Sequence, residues 1–214
     1  MFYGWKILIL FLISCINILP QGFNLPSKGV QFFNLKDNEG RNQATFFGEA
    51  RYENISGLSN NVWGHVSFDA KDIETTLQGE VSISVSSLKT GIEKRDEHLQ
   101  SVSWLNAEKY PTIMFRIKEV HNVTLIEDNA VKISLSGEFI LRGRTKIIYT
   151  TATMKYLPEN DITRTIMPGD LINIVAKFEI KLSDFEVRNT FIPNRVSDTI
   201  QISINIVGSD NNQL

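Results

Sequence analysis

Val81-Ser82-Ile83-Ser84-Val85-Ser86 alternates an apolar and a hydroxyl residue at every step. Successive side chains of a strand point to opposite faces, so a period of two describes a strand with one face buried and one face wet. The same period recurs on both sides of it. Phe46, Gly48, Ala50 and Tyr52 share one side of a strand, and Val62, Gly64, Val66 and Phe68 share another. Further runs cover residues 113–120, 131–141, 145–157, 171–182 and 199–207, and Asn60-Asn61, Asp128-Asn129, Pro158-Glu159-Asn160-Asp161 and Pro168-Gly169-Asp170 supply breaks suited to turns. The pattern predicts an all-β domain of about eight antiparallel strands, built either as a sandwich or as a closed barrel, which has no exposed edges.

The inward faces form one apolar set: Val81, Ile83, Val85, Ile113, Phe115, Ile117, Ile133, Leu135, Phe139, Leu141, Ile174, Ala176, Phe178, Ile180, Ile202 and Ile204. No charged residue interrupts it, and Gly137 and Ala176 are its small members, expected to leave volume. Eight strands enclose a space that is either filled by side chains or able to hold one small ligand. Pattern alone favours a filled core, because apolar strand faces more often make cores than cavities.

Between two of these strands lies Ser87-Leu88-Lys89-Thr90-Gly91, where Gly91 lets the chain turn, followed by a short helix expected over residues 92–100. Ile92, Arg95, Asp96 and Leu99 fall at i, i+3, i+4 and i+7, which places Arg95 and Asp96 on the stripe that faces the body, each needing its own partner. Trp104-Leu105 adds an apolar plug, and Tyr110-Pro111 leads into the next strand in extended form.

Ser87-Leu88, Thr90-Gly91, Arg95-Asp96, His98-Leu99, Lys109-Tyr110-Pro111, Ile113 and Phe115 resemble the signature of the YceI-like proteins, and the run from Gly137 to Lys146 resembles that family's next block. The resemblance covers roughly residues 42 to 208. It implies an exported, lipocalin-like antiparallel β-barrel that holds a long apolar lipid, such as a polyisoprenoid or an isoprenoid quinone, with no cofactor required. On that implication the ligand would lie against Val81, Ile83, Val85, Ile113, Phe115, Ile133, Leu135, Phe139, Leu141, Ala176, Phe178 and Ile180, and Leu99 and Trp104 would cover one end. Arg95, Asp96 and His98 would either meet a head group or pin the helix to the rim, and the mixed stripe favours pinning. The alternative function is an exported structural or interaction protein with a filled barrel. Two places depart from the family pattern: Arg41-Asn42-Gln43 stands where a His-Ser pair is usual, and Glu186 stands where a Gly commonly follows the Phe.

Net charge is −2 with acids and bases interspersed, so there is no footprint for nucleic acid. Cys15 is the single cysteine and lies in an apolar leader, leaving the folded part without a disulfide, a thiol nucleophile or a Cys-based metal site. His65, His98 and His121 lack metal-ligand spacing, and no nucleophile elbow or phosphate loop occurs, so no catalytic residue is assigned. Residues 1–20 read as a signal peptide or an N-terminal anchor. Leu12-Ile13-Ser14-Cys15 resembles a lipobox, with Cys15 as its lipidation site and possible membrane tether. Residues 21–42 read as an N-terminal extension, 43–208 as the barrel and 209–214 as a frayed polar tail. With such a leader the protein is expected in the periplasm or cell envelope.

Overall fold

Ten strands make one antiparallel sheet in a computed structural model that describes residues 21–211. They are β1 (Val30–Asn34), β2 (Gln43–Gly48), β3 (Ile55–Ser59), β4 (Val62–Asp69), β5 (Gln78–Ser84), β6 (Thr112–Glu127), β7 (Ala130–Leu141), β8 (Arg144–Leu157), β9 (Leu171–Lys181) and β10 (Thr199–Ser209). Short helices α1 (Ile73–Thr76), α2 (Glu93–Gln100) and α3 (Asp161–Ile166) punctuate them. The order β1-β4-β5-β6-β7-β8-β9-β10 returns to β1 through Asn34 opposite Ser209, so eight strands close a barrel and the β2–β3 hairpin extends from β10. The expected barrel is the fold observed. The leader, with Cys15, lies outside the described residues, as does the end of the tail.

The register places like ends together. The starts of β6, β8 and β10 and the ends of β5, β7 and β9 share one rim, and the opposite termini share the other. At the second rim the interior is packed with rings: Phe33 stacks on Phe68 at 5.1 Å between centroids, and Tyr156 meets both edge-on at 6.0 and 6.4 Å. Ile73, Ile172 and Ile206 complete this fully buried layer. Edge-to-face pairs of this kind add to the area they bury.

Several elements differ from the sequence reading. Residues 21–42 do not merely precede the sheet: β1 pairs with β4 from Val30 opposite Asp69 to Asn34 opposite His65, and Phe23, Phe33 and Leu35 are buried in the core. The single strand expected through Tyr52 ends at Gly48, and a separate β3 follows. Val85 leaves β5 and begins a 3-10 turn, Val85–Ser87, whose amide donates to Pro111 O at 2.9 Å. The Pro158 break contains α3, where the Asn160 side chain accepts from Ile162 N and Thr163 N and so caps the helix. Ser209 is fully buried and Asp210 accepts from Asp170 N, so the start of the tail is held rather than frayed.

Arg142-Gly143 makes the two-residue turn between β7 and β8, with positive φ at both positions (50° and 70°), the conformation that matches the twist of a hairpin. A Cβ on Gly143 would also fall 2.6 Å from Tyr110 Cε1. Glu186 is left-handed at φ 58°, immediately after the 3-10 turn Leu182–Phe185. A non-glycine residue there costs about 1 to 2 kcal/mol, and its exposed ion pair with Arg144 at 2.8 Å returns less than about 1 kcal/mol. Glu186→Gly is therefore expected to raise the urea midpoint, equivalent to up to about 1 kcal/mol; a lowered midpoint would show that the Glu186 contacts outweigh the backbone strain.

Candidate ligand-binding cavity

The half of the barrel nearer the first rim encloses a cavity of about 340 Å³. Its wall is the inward face of six strands: Ala44 and Phe46 from β2, Val81 and Ile83 from β5, Ile113 and Phe115 from β6, Phe139 and Leu141 from β7, Phe178 and Ile180 from β9, and Ile200, Ile202 and Ile204 from β10. Phe115, Phe139 and Phe178 are the deepest of these on their strands. Their rings meet at 5.9 Å (Phe115 to Phe178) and 5.6 Å (Phe139 to Phe178) and make a floor between the cavity and the packed half. Gly137 makes that floor possible, because a Cβ there would stand 2.4 Å from Phe115 Cζ. The glycine accommodates a ring rather than leaving volume.

The floor sorts the residues expected to line a ligand site. Val81, Ile83, Leu99, Trp104, Ile113, Phe115, Phe139, Leu141, Phe178 and Ile180 all line the cavity, as do Arg95 and His98. Ile133 and Leu135 are buried beneath the floor, and Ala176, opposite Ala152 and Ile204, is also outside the cavity lining. Val85 is buried in its 3-10 turn. Ala44, Phe46, Glu53, Ile55, Phe191, Arg195, Val196 and Ile200 belong to the lining without having been expected there. Phe46 and the alternation of β10 carried a usable signal, but the loop after β9 has no periodicity to read.

Two segments cover the cavity's outer end. The first is the α2 region, which contributes Leu88, Thr90, Arg95, His98, Leu99, Trp104 and Leu105; the second is the stretch after β9, which contributes Leu182, Phe191, Arg195 and Val196. Between β8 and β9 the ladder runs only from Thr151 opposite Lys177 to Leu157 opposite Leu171. Toward the cavity end Phe185 is fully buried, its ring 5.5 Å from that of Phe139. Arg142 ties the two covers together, donating to Val102 O at 3.2 Å and to Glu186 O at 2.9 Å.

Ile92 corrects the stripe argument. It is the N-cap in extended conformation and half exposed, so α2 is anchored by Leu99 and not from both ends. Arg95 and Asp96 consequently have different roles. Asp96 is buried, and its Oδ1 accepts from Thr90 N and Thr90 Oγ1, both at 2.7 Å, with Lys89 Nζ 3.8 Å from the other oxygen. Burial would raise its pKa, yet the Thr90 hydrogen bonds and the Lys89 charge outweigh this and hold it below the usual value. Arg95 reaches Glu53 on the β2–β3 loop at 3.3 Å while lining the cavity. Asp96 thus pins the helix, while half-buried Arg95 and exposed His98 line the cavity's outer end. Asp96→Ala strands the Thr90 amide and is expected to cost about 2 to 3 kcal/mol in chemical unfolding. Arg95→Ala, which breaks a single pair to the exposed Glu53, should cost under about 1 kcal/mol; equal losses would refute this division of roles.

Protein YceI of Escherichia coli and of Shigella flexneri are each 26% identical to this chain over 157 residues, covering 73% of it and 75% of their own length. Among solved structures, BcnA of Burkholderia cenocepacia superposes with a TM-score of 0.62 at 15% identity, covering 80% of this chain and 99% of its own. A polyisoprenoid binding domain from Saccharophagus degradans superposes with a TM-score of 0.60 at 12% identity, covering 85% and 99%. The YCEI protein of Campylobacter jejuni follows with a TM-score of 0.58 at 23% identity, covering 74% and 86%. The YceI-like domain model matches residues 37–208, which takes in every cavity-lining strand and both covering segments, and the chain is a member of the YceI-like family.

Proposed function

We propose that this protein is an exported binding protein whose cavity takes the hydrocarbon chain of an isoprenoid lipid, such as a polyisoprenoid or an isoprenoid quinone, for sequestration or transport. The observation that carries the reading is the cavity itself: about 340 Å³ of space, walled by aliphatic and aromatic side chains, with Arg95, His98, Glu53, Thr90 and Arg195 among its few polar neighbours. That volume lies at the small end of ligand pockets. Each buried methylene stabilises binding by about 0.8 kcal/mol, so partial burial of one chain supports useful affinity. The aromatic floor limits how deep the chain can go, and the remainder of a long polyisoprenoid must leave past Trp104 and Phe191. The likeness to the Saccharophagus domain agrees with an isoprenoid occupant.

Arg95 and His98 stand where a quinone carbonyl or other polar head would sit, which makes them the head-group candidates, while Asp96 has a structural role. On this reading residues 1–20 are the export signal or anchor, either carrying a lipid on Cys15, or cut near Gly22, or retained uncleaved, and the barrel works in the periplasm or cell envelope. Trp104 is the native reporter. Titration with a short-chain isoprenoid quinone should quench its fluorescence saturably, and Trp104→Phe should remove most of that signal while leaving quinone retention in equilibrium dialysis. An unsaturable response, with no retention in dialysis, would refute the reading.

A further inference from the structure

Four large apolar side chains stand exposed around the cavity's outer end, on three separate segments. Tyr52 (70% exposed) is on the β2–β3 loop, Ile92 (50%) and Val102 (66%) flank α2, and Phe191 (40%) is on the stretch after β9. Each lies within three residues of one that lines the cavity, and Phe191 lines it itself. Two of the tips carry a guanidinium: Arg51 lies over the Tyr52 ring at 5.7 Å, and Arg195 over Phe191 at 5.4 Å. An aromatic body with a cationic head beside it suits the boundary between acyl chains and phosphates.

The charge distribution separates the two rims. Loops at the cavity end, residues 49–54, 85–111, 142–143 and 182–198, carry eight basic and nine acidic side chains, a net charge of −1. Loops at the packed end, residues 21–29, 70–77, 128–129, 158–170 and 210–211, carry three basic and seven acidic, a net charge of −4. The packed end also exposes Ile162 and Ile166 on α3, Leu125 and Ile126 at the end of β6 and Val30 at the start of β1, but acidic residues stand beside each: Glu159 and Asp161, Glu127 and Asp128, and Asp69 opposite Val30. An anionic phospholipid surface would repel that end and leave the cavity end free to approach.

We propose that the rim formed by Tyr52, Ile92, Val102 and Phe191 is a membrane-docking face that seats the cavity mouth against a phospholipid bilayer. It rests on the isoprenoid reading for its purpose: a chain that passes between bilayer and barrel at this rim avoids exposure to water. The partner is the lipid surface itself, and the face acts whether or not the leader also tethers the chain.

The test labels full-length Cys15→Ser protein at Val102→Cys, or at Ile162→Cys on the opposite rim, with an environment-sensitive nitrobenzoxadiazole dye. Both positions are exposed, so neither label disturbs the core. Vesicles of phosphatidylethanolamine and phosphatidylglycerol should raise emission at position 102 at least twofold, with a blue shift, and leave position 162 unchanged. Adding Tyr52→Ser and Phe191→Ser should halve the response or reduce it further. No response at position 102, equal responses at both positions, or a larger one at position 162 would overturn the proposal; a rim that meets a protein instead would give the first of these. Trp104 quenching by a short-chain quinone in vesicle-free samples reads uptake separately. Uptake without the position 102 response therefore counts against docking alone, and the response without uptake counts against the isoprenoid reading.

Discussion

Asp170→Ala is expected to lower the unfolding free energy by about 2 to 4 kcal/mol, because it takes the carboxylate acceptor away from the buried Tyr156 hydroxyl and from the Glu159 amide. Asp170 is buried at the packed rim, and its carboxylate accepts from Lys28 Nζ, the Tyr156 hydroxyl, Gln31 Nε2 at 3.2 Å and Glu159 N at 2.8 Å. Its own amide donates to Asp210 at 2.8 Å. The side chain therefore joins the segment before β1, strand β1, β8 and the approach to α3, while the amide holds Asp210 just past the end of β10. Removing the side chain takes the charged acceptor from the Tyr156 hydroxyl in the aromatic layer and leaves Gln31 Oε1, 3.0 Å away, as its acceptor. Burial by itself would raise the Asp170 pKa, but hydrogen bonds from Lys28 and Tyr156 outweigh it and hold the carboxyl at about 2, while burial and the Asp170 bond push the Tyr156 hydroxyl up to about 12. Because the folded pKa lies below the usual 3.8, the stabilisation is complete above about pH 4 and is lost as pH falls toward 2. The loss amounts to about 2 kcal/mol. Urea unfolding at pH 7 and pH 2.5 should show a smaller acid-induced loss in Asp170→Ala than in the parent; the same loss in both would place the acid sensitivity elsewhere.

Ala44→Phe is expected to abolish isoprenoid uptake with a change in stability below about 1 kcal/mol, because the new ring enters existing space. Ala44 is buried on β2 between Ile204 and Ser59 and lines the cavity. In a closely packed interior the same enlargement costs about 1 to 3 kcal/mol. Ala176→Phe supplies that comparison, since Ala176 packs against the core outside the cavity. It should lose stability and keep binding. The opposite ranking of the two variants would mean that the aromatic floor does not divide the barrel as described.

The strands were legible because alternation over six or more residues survives in β5, β7, β9 and β10, and the barrel followed from their number together with the family signature. Val30-Gln31-Phe32-Phe33-Asn34 places apolar residues on both faces over only five positions, so β1 offered no period to detect. Ile92 fitted a helical stripe in sequence but sits before the first helical residue, where the 3.6-residue period does not apply. The division of the interior was not legible at all. Ile133 and Phe139 follow the same inward alternation, and what makes one core and the other cavity wall is the meeting of Phe115, Phe139 and Phe178 from three strands, a contact that no local pattern encodes. The covering stretch after β9 is irregular and was missed for the same reason, although Glu186 marked it as unusual.

The central claim is that the cavity half of the barrel holds an isoprenoid chain. Protein purified without detergent from a bacterial host, extracted with organic solvent and analysed by mass spectrometry, tests it directly. The account predicts an isoprenoid species approaching one equivalent per chain, lost in Ala44→Phe and retained in Ala176→Phe. Extracts free of isoprenoid, from protein that also takes up none when it is supplied, would contradict it.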